Sequence, residues 1–155
     1  MRSPVLSTGD QLQPSIKPDL IMTTGQIRLV GDSVDTLREY AEPFALLFYG
    51  KLFELDPGSR LLFHNDLALQ SRKLMDMVTS VVESLNDFEP MRARLAELGR
   101  KHAEYGVRPG QYETVTTAFL WSLGQALGAD FDVPTREAWR LAINAICAAM
   151  KAGLA

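Results

Sequence analysis

Apolar residues recur along this chain with helical period from about residue 25 onward, and no segment alternates apolar and polar positions as a half-buried strand does. In 25–39, GQIRLVGDSVDTLRE, Ile27, Val30, Val34 and Leu37 share a face. In 42–55, EPFALLFYGKLFEL, Phe44, Leu47, Phe48, Leu52 and Leu55 are grouped in the same way, and Pro43 suits a first turn, where its missing N–H has no partner to lose. DPGSRLLF, 56–63, reads as a turn leading into a short helix. A long helix is predicted over 67–85, with Leu67, Gln70, Leu74, Met77 or Val78, and Val81 along one side. EPMRARLAELGRKHAEY predicts another over 89–105. RPGQYETVTTAFLWSLGQALG opens with Pro109 and closes at Gly128, and PTREAWRLAINAICAAMKAG spans 134–153, with Pro134 and Thr135 as start signals and Gly153 as the stop. Six or seven helices with short links, no hairpin signal and no internal repeat predict an all-α domain packed in pairs over 25–155. Residues 1–24, rich in Ser, Pro, Thr and Gln, show no period and are expected to be a flexible tail, with Met22 a candidate alternative start.

Composition narrows the class. The chain has 155 residues, 46% hydrophobic and 23% charged, which is enough to bury one full core. Sixteen Lys and Arg against nineteen Asp and Glu give a net charge of −3 without a basic block to follow a phosphate backbone, so nucleic acid is excluded as the expected partner. No apolar run has the length of a membrane span, and the first residues lack the apolar core of a signal peptide, so the expected location is cytoplasmic. Cys147 is the only cysteine, set among Ala, Ile and Met, and reads as a small core residue.

Candidate chemistry centres on His102. Leu95, Leu98 and His102 fall at i, i+3 and i+7, which places the imidazole on the apolar side of its helix, where its nitrogens need partners. Polar residues interrupt other apolar stripes: Tyr49 among Phe48, Leu47 and Leu52, Gln70 one turn before Leu74, and Tyr112 on the helix after His102. Taken singly, each has a bland explanation: a core histidine bonded to a carbonyl, tyrosines with exposed hydroxyls, a glutamine at a stripe margin. Several polar groups aimed into one helical core are costly unless something there uses them. Other chemistry lacks its signature, since there is no Gly-rich phosphate loop, no nucleophile elbow and no Cys or second inward His at metal spacing.

FALLFYGKLFELDPGSRLLF, LQSRKLM and LGRKHAEYGVRPGQYETV together resemble the bacterial single-domain haemoglobins related to the globin module of flavohaemoglobins, over about 25–153. The resemblance implies a globin fold enclosing haem b. It implies His102 as the proximal iron ligand, Phe63 as the corner aromatic against the haem ring, and Tyr49 with Gln70 as distal donors to a gas ligand that carries partial negative charge. Leu74, Val78, Val107, Val115 and Phe119 would form apolar wall, and Tyr112 would stand behind the proximal histidine. Lys73 and Arg72 are candidates for the haem propionates or for a solvated face. His64 is expected to be an exposed corner residue, Gln70 holding the distal position.

The resemblance also has departures. The family's glutamate late in the last helix, which bonds the tyrosine matched by Tyr112, is missing, since no acid follows Glu137. No flavin reductase module follows, so an external reductase would be needed. The implied function is reversible binding of O2 and other diatomic gases such as NO and CO, with dioxygenation of nitric oxide as the candidate enzymatic activity, in a monomer or weak homodimer. Two alternatives stay open: a haem-based gas or redox sensor acting on a partner, and a haem-free helical regulatory module.

Overall fold

The computed structural model describes residues 22–63 and 66–154. Of the tail expected over 1–24, residues 1–21 lie outside these residues, as does His64, while Thr23 and Thr24 already belong to the start of the first helix. Among the described residues there is no strand, and six α-helices carry the fold: α1 (Thr24–Leu37), α2 (Ala41–Leu55), α3 (Leu67–Glu83), α4 (Glu89–Glu104), α5 (Gln111–Leu127) and α6 (Val133–Ala152). The turn expected over 56–63 is a 3-10 helix, Pro57–Leu62.

Local chemistry explains most of the boundaries. The Thr23 hydroxyl accepts from the Gln26 N–H while the Gln26 side chain accepts from the Thr23 N–H, a capping box that starts α1. The Asp66 carboxylate accepts from the N–H groups of Ala68 and Leu69 and starts α3. Two boundaries depart from expectation, and a third is met for a different reason. Helix α5 begins at Gln111, so Pro109 lies in the preceding turn. Thr135 does not cap α6; it offers its N–H to the carboxylate of Asp132, the residue that does. Gly153 ends α6 with φ −71, so it is not a left-handed stop. What requires glycine there is space, because a Cβ would collide with the Ala96 carbonyl of α4.

A second collision point lies one turn before His102. A Cβ at Gly99 would strike the main chain of Met150 on α6. Two glycines thus let α4 and α6 cross backbone to backbone. Helix α2 packs on α5 and α3, and α1 packs on α6 and α3. Trp139, Phe44, Leu37, Leu95 and Leu123 are the largest fully buried side chains. The buried face of α2 is Phe44, Ala45, Phe48, Tyr49 and Leu52. Leu47 and Leu55, grouped with that face in the sequence, are instead exposed, one on the flank of the helix and one in its last turn.

Candidate functional site

The helices do not close completely on one another. A cavity of about 240 Å³ lies between α3 and α4, backed by α5 and α6 and flanked by α2 and the 3-10 helix. Its wall is overwhelmingly apolar. Helix α3 contributes Gln70, Leu74, Met77, Val78, Val81 and Val82, at the i, i+4, i+7 and i+8 spacing that forms one helical face. Helix α4 contributes a single residue, His102. Ten residues to which the resemblance gives a place around the haem line this one space: Tyr49, Phe63, Gln70, Leu74, Val78, His102, Val107, Tyr112, Val115 and Phe119. Arg72 and Lys73 are exposed on α3.

His102 is half-buried, and its Nδ1 lies 2.8 Å from the Leu98 carbonyl oxygen. A carbonyl only accepts, so Nδ1 carries the proton in this bond. In the neutral ring Nε2 then keeps its lone pair. That is the form in which imidazole binds a metal.

On the other flank, the Tyr49 hydroxyl donates to the main-chain carbonyl of Gln70 at 3.3 Å, joining α2 to the first turn of α3. The ring of Tyr49 sits edge-on to Phe63 and stacked on Phe53, and Phe53 meets Phe63 edge-on, so the corner aromatic is held by two others. Burial pushes the Tyr49 phenol up to about 12, which keeps its proton, and hence its donor capacity, through the whole neutral range.

Tyr112 is buried in the wall that it shares with the histidine, and its hydroxyl has no hydrogen-bond partner among the described residues. A cation lies near it, the Lys151 ammonium 5.7 Å from the ring centroid. Burial raises the Tyr112 phenol above its ordinary value, and the neighbouring Cys147 adds to the shift. The acid missing from the sequence is thus matched by an unpartnered hydroxyl in the fold. Cys147 is half-buried in the cavity wall rather than deep in the core, with its sulfur 3.6 Å from the Thr116 hydroxyl, and burial raises its thiol.

Several wall residues carry no distinguishing mark in the sequence. Trp139, Ala142, Ile143, Ile146 and Met150 form a visible apolar stripe on α6, yet nothing in a stripe distinguishes a closed core from the side of a cavity. Asp56 and Gln111 give no signal at all. They meet across the chain, with Gln111 Nε2 donating to Asp56 Oδ2 at 2.9 Å while Gln111 Oε1 accepts from the Arg108 N–H at 2.8 Å.

Comparison with known proteins is decisive for the family. Residues 46–150, well over half of the chain, match the family described as Globin. This chain belongs to the globin family. The neuroglobin of Tetraodon nigroviridis is 30% identical over 141 residues, covering 82% of this chain and 89% of that protein. A bacterial globin from Campylobacter jejuni superposes with a TM-score of 0.72 at 23% identity, covering 81% of this chain and 91% of its own. A hexacoordinated haem protein from an anhydrobiotic tardigrade superposes at 0.79 with 16% identity, covering 89% and 98%. At those identities the two structures attest the fold, and haem iron is the cofactor that membership of the globin family brings. The cavity fits that group. It offers an apolar space, one imidazole with its second nitrogen tied back, and polar donors on a different helix.

Proposed function

We propose that this globin is of the single-domain bacterial kind, and that it binds O2 reversibly and removes nitric oxide by dioxygenation with electrons from a separate reductase. In this reading His102 holds haem iron through Nε2, Phe63 packs on the ring, and Leu74, Val78, Val107, Val115 and Phe119 exclude water from it. Haem supplies the iron at which the diatomic ligand binds. The Gln70 amide, and the Tyr49 hydroxyl once it turns from the Gln70 carbonyl, supply hydrogen-bond donors to that ligand in a dry wall, where such bonds are stronger than in water. The net conversion joins one NO, one O2 and one electron into nitrate, so a turnover requires the reductase at each cycle.

One observation carries the reading. A single imidazole on α4, with Nδ1 engaged by Leu98, shares an otherwise apolar cavity with a tyrosine whose raised pKa keeps it a donor. The hydroxyl of Tyr112, without an acceptor, supports a neutral proximal imidazole and so a globin that retains O2 more than one that cleaves it.

The test is optical and chemical. Purified protein with haem is expected to give a Soret band that shifts on dithionite reduction and again with CO, and that is lost or grossly altered in His102→Ala. Added NO is expected to be converted to nitrate by the O2-loaded protein, repeatedly when a flavin reductase is supplied. Binding of NO without nitrate formation would move the reading to gas sensing, and failure to take up haem would remove it.

A further inference from the structure

The chemistry of haem decides which of its edges faces which wall. Its propionates are costly to bury and stay at solvent, so the opposite edge, which carries only methyl and vinyl groups, goes inward. The inward wall is the one that α5 and α6 form, with Val115, Ile143, Ile146 and Cys147.

Cys147 is held in that wall from two sides. Its sulfur lies 3.6 Å from the Thr116 hydroxyl of α5, and one turn away on each helix the Lys151 ammonium stands 5.7 Å from the centroid of the Tyr112 ring. Met150, in the next turn of α6, abuts Gly99, one turn before His102 on α4. The thiol thus belongs to the stretch of α6 that also meets the histidine's helix. Tyr112, in the same stretch of wall, is 6% exposed, and its hydroxyl has no partner among the described residues. The chain leaves here a donor for a group that it does not itself supply.

Other reactive side chains around the cavity are engaged. His102 gives Nδ1 to Leu98, Asp56 accepts from Gln111, and Tyr49 donates to the Gln70 carbonyl. Burial raises the Cys147 thiol above its ordinary value, so the sulfur keeps its hydrogen through the neutral range. That makes it a poor thiolate reagent. It suits addition to an alkene, which takes up sulfur and hydrogen together.

We propose that Cys147 is a covalent attachment site for haem, its sulfur forming a thioether with a vinyl group of the ring; this rests on the haem-based reading above. The S–H bond adds across the vinyl C=C. Hydrogen goes to the terminal carbon, sulfur bonds the carbon next to the ring, and the double bond becomes single. Nothing is oxidised or reduced overall, and no co-reactant is consumed. The hydrogen arrives as a proton, which the electron-richer ferrous ring accepts more readily than the ferric one. Freshly loaded ferric protein therefore holds haem by coordination alone, and the bond grows in under reduction. Cysteines that carry haem in this way usually stand beside the ligand histidine in the sequence. Here the two are on different helices, brought together by the crossing of α4 and α6.

Protein loaded with haem b, held under dithionite and then denatured in acid–acetone, tests this directly. The chain is expected to retain its haem, to gain the mass of one haem, and to give a pyridine haemochrome at shorter wavelength than free haem b, because one vinyl has left the conjugation. Cys147→Ser is expected to bind haem with the wild-type Soret band and to release all of it. A wild type that shows the histidine-ligated spectrum yet releases all its haem would overturn the proposal, and so would retention in Cys147→Ser. Should Cys147→Ser fail to take up haem, wild type loaded with mesohaem, whose vinyls are saturated to ethyls, gives the second reading. It is expected to bind and to be wholly extracted, and retained mesohaem would overturn the proposal equally. A wild type without a histidine-ligated spectrum would instead overturn the haem-based reading itself.

Discussion

The Nδ1 of His102 donates to the carbonyl of Leu98, one turn earlier on the same helix, at 2.8 Å. The partner of this imidazole is thus neutral and part of the main chain, while the buried Tyr112 hydroxyl, in the wall of the same cavity, has no partner among the described residues. A carbonyl orients the ring and fixes its tautomer without drawing the Nδ1 proton away, as a carboxylate would.

This arrangement separates two substitutions. His102→Ala is expected to lose the histidine-ligated spectrum and to recover it when imidazole is added, because the cavity wall survives the truncation. Tyr112→Phe is expected to leave both the iron–histidine stretching frequency and the reduction potential at their wild-type values. A shift in either would mean that the hydroxyl reaches the His102 imidazole after all.

In the proposed reading Tyr49 donates to the bound gas. A hydrogen bond to a charged group contributes about 1.5–3 kcal/mol, and about 1.4 kcal/mol is a factor of ten. Tyr49→Phe is accordingly expected to speed O2 dissociation by roughly 10- to 100-fold, measured by stopped-flow displacement with CO. An unchanged rate would remove Tyr49 from the ligand-binding role.

The same phenol makes a prediction about alkaline stability. Its value of about 12 in the folded protein lies above the ordinary 10.0, so the unfolded chain gives up this proton first as pH rises. Folded and unfolded states bind the proton equally below pH 10, and the unfolded state gains from there up to about 12. Two units at about 1.36 kcal/mol each make the loss on the order of 3 kcal/mol. Denaturant midpoints are expected to be flat through neutral pH and to fall above 10, and to fall less steeply in Tyr49→Phe. Equal slopes in the two proteins would show that Tyr49 is not shielded as its burial implies.

The crossing of α4 and α6 has its own test. Gly99→Ala forces a methyl against the Met150 main chain, and overpacking of this kind typically costs about 1–3 kcal/mol. Because the strained turn leads directly to His102, haem loss to a scavenging apoglobin is expected to accelerate together with a fall in Tm. A Tm that drops with no change in haem loss would show that the crossing supports the fold but not the position of the histidine.

Much of the fold and of the site is legible in the sequence alone. The helices follow from period and punctuation, and Tyr49, Gln70 and His102 stand out as polar residues in stripes that have no need of them. What stays hidden is what depends on meeting across the chain. Gly153 reads as an ordinary stop signal, but the reason for it is Ala96 on another helix. Trp139 carries no mark in the sequence, and only the fold shows that it lines a cavity and that its buried N–H has no partner among the described residues. Leu47 and Leu55 show the reverse error, since an apolar side chain on the correct arc is buried only where a neighbour arrives to cover it.

The contact between Asp56 and Gln111 bears on how this chain can change over evolutionary time. Gln111 uses both ends of its amide at once, the oxygen on the Arg108 N–H and the nitrogen on the Asp56 carboxylate, and so pins the corner that carries Val107 to the start of the 3-10 helix. Neither residue is replaceable alone without stranding the other's polar group at a half-buried junction. Across an alignment of descendants the two positions should drift as a pair, and a lineage that had lost the carboxylate would be one in which the glutamine had also been given up.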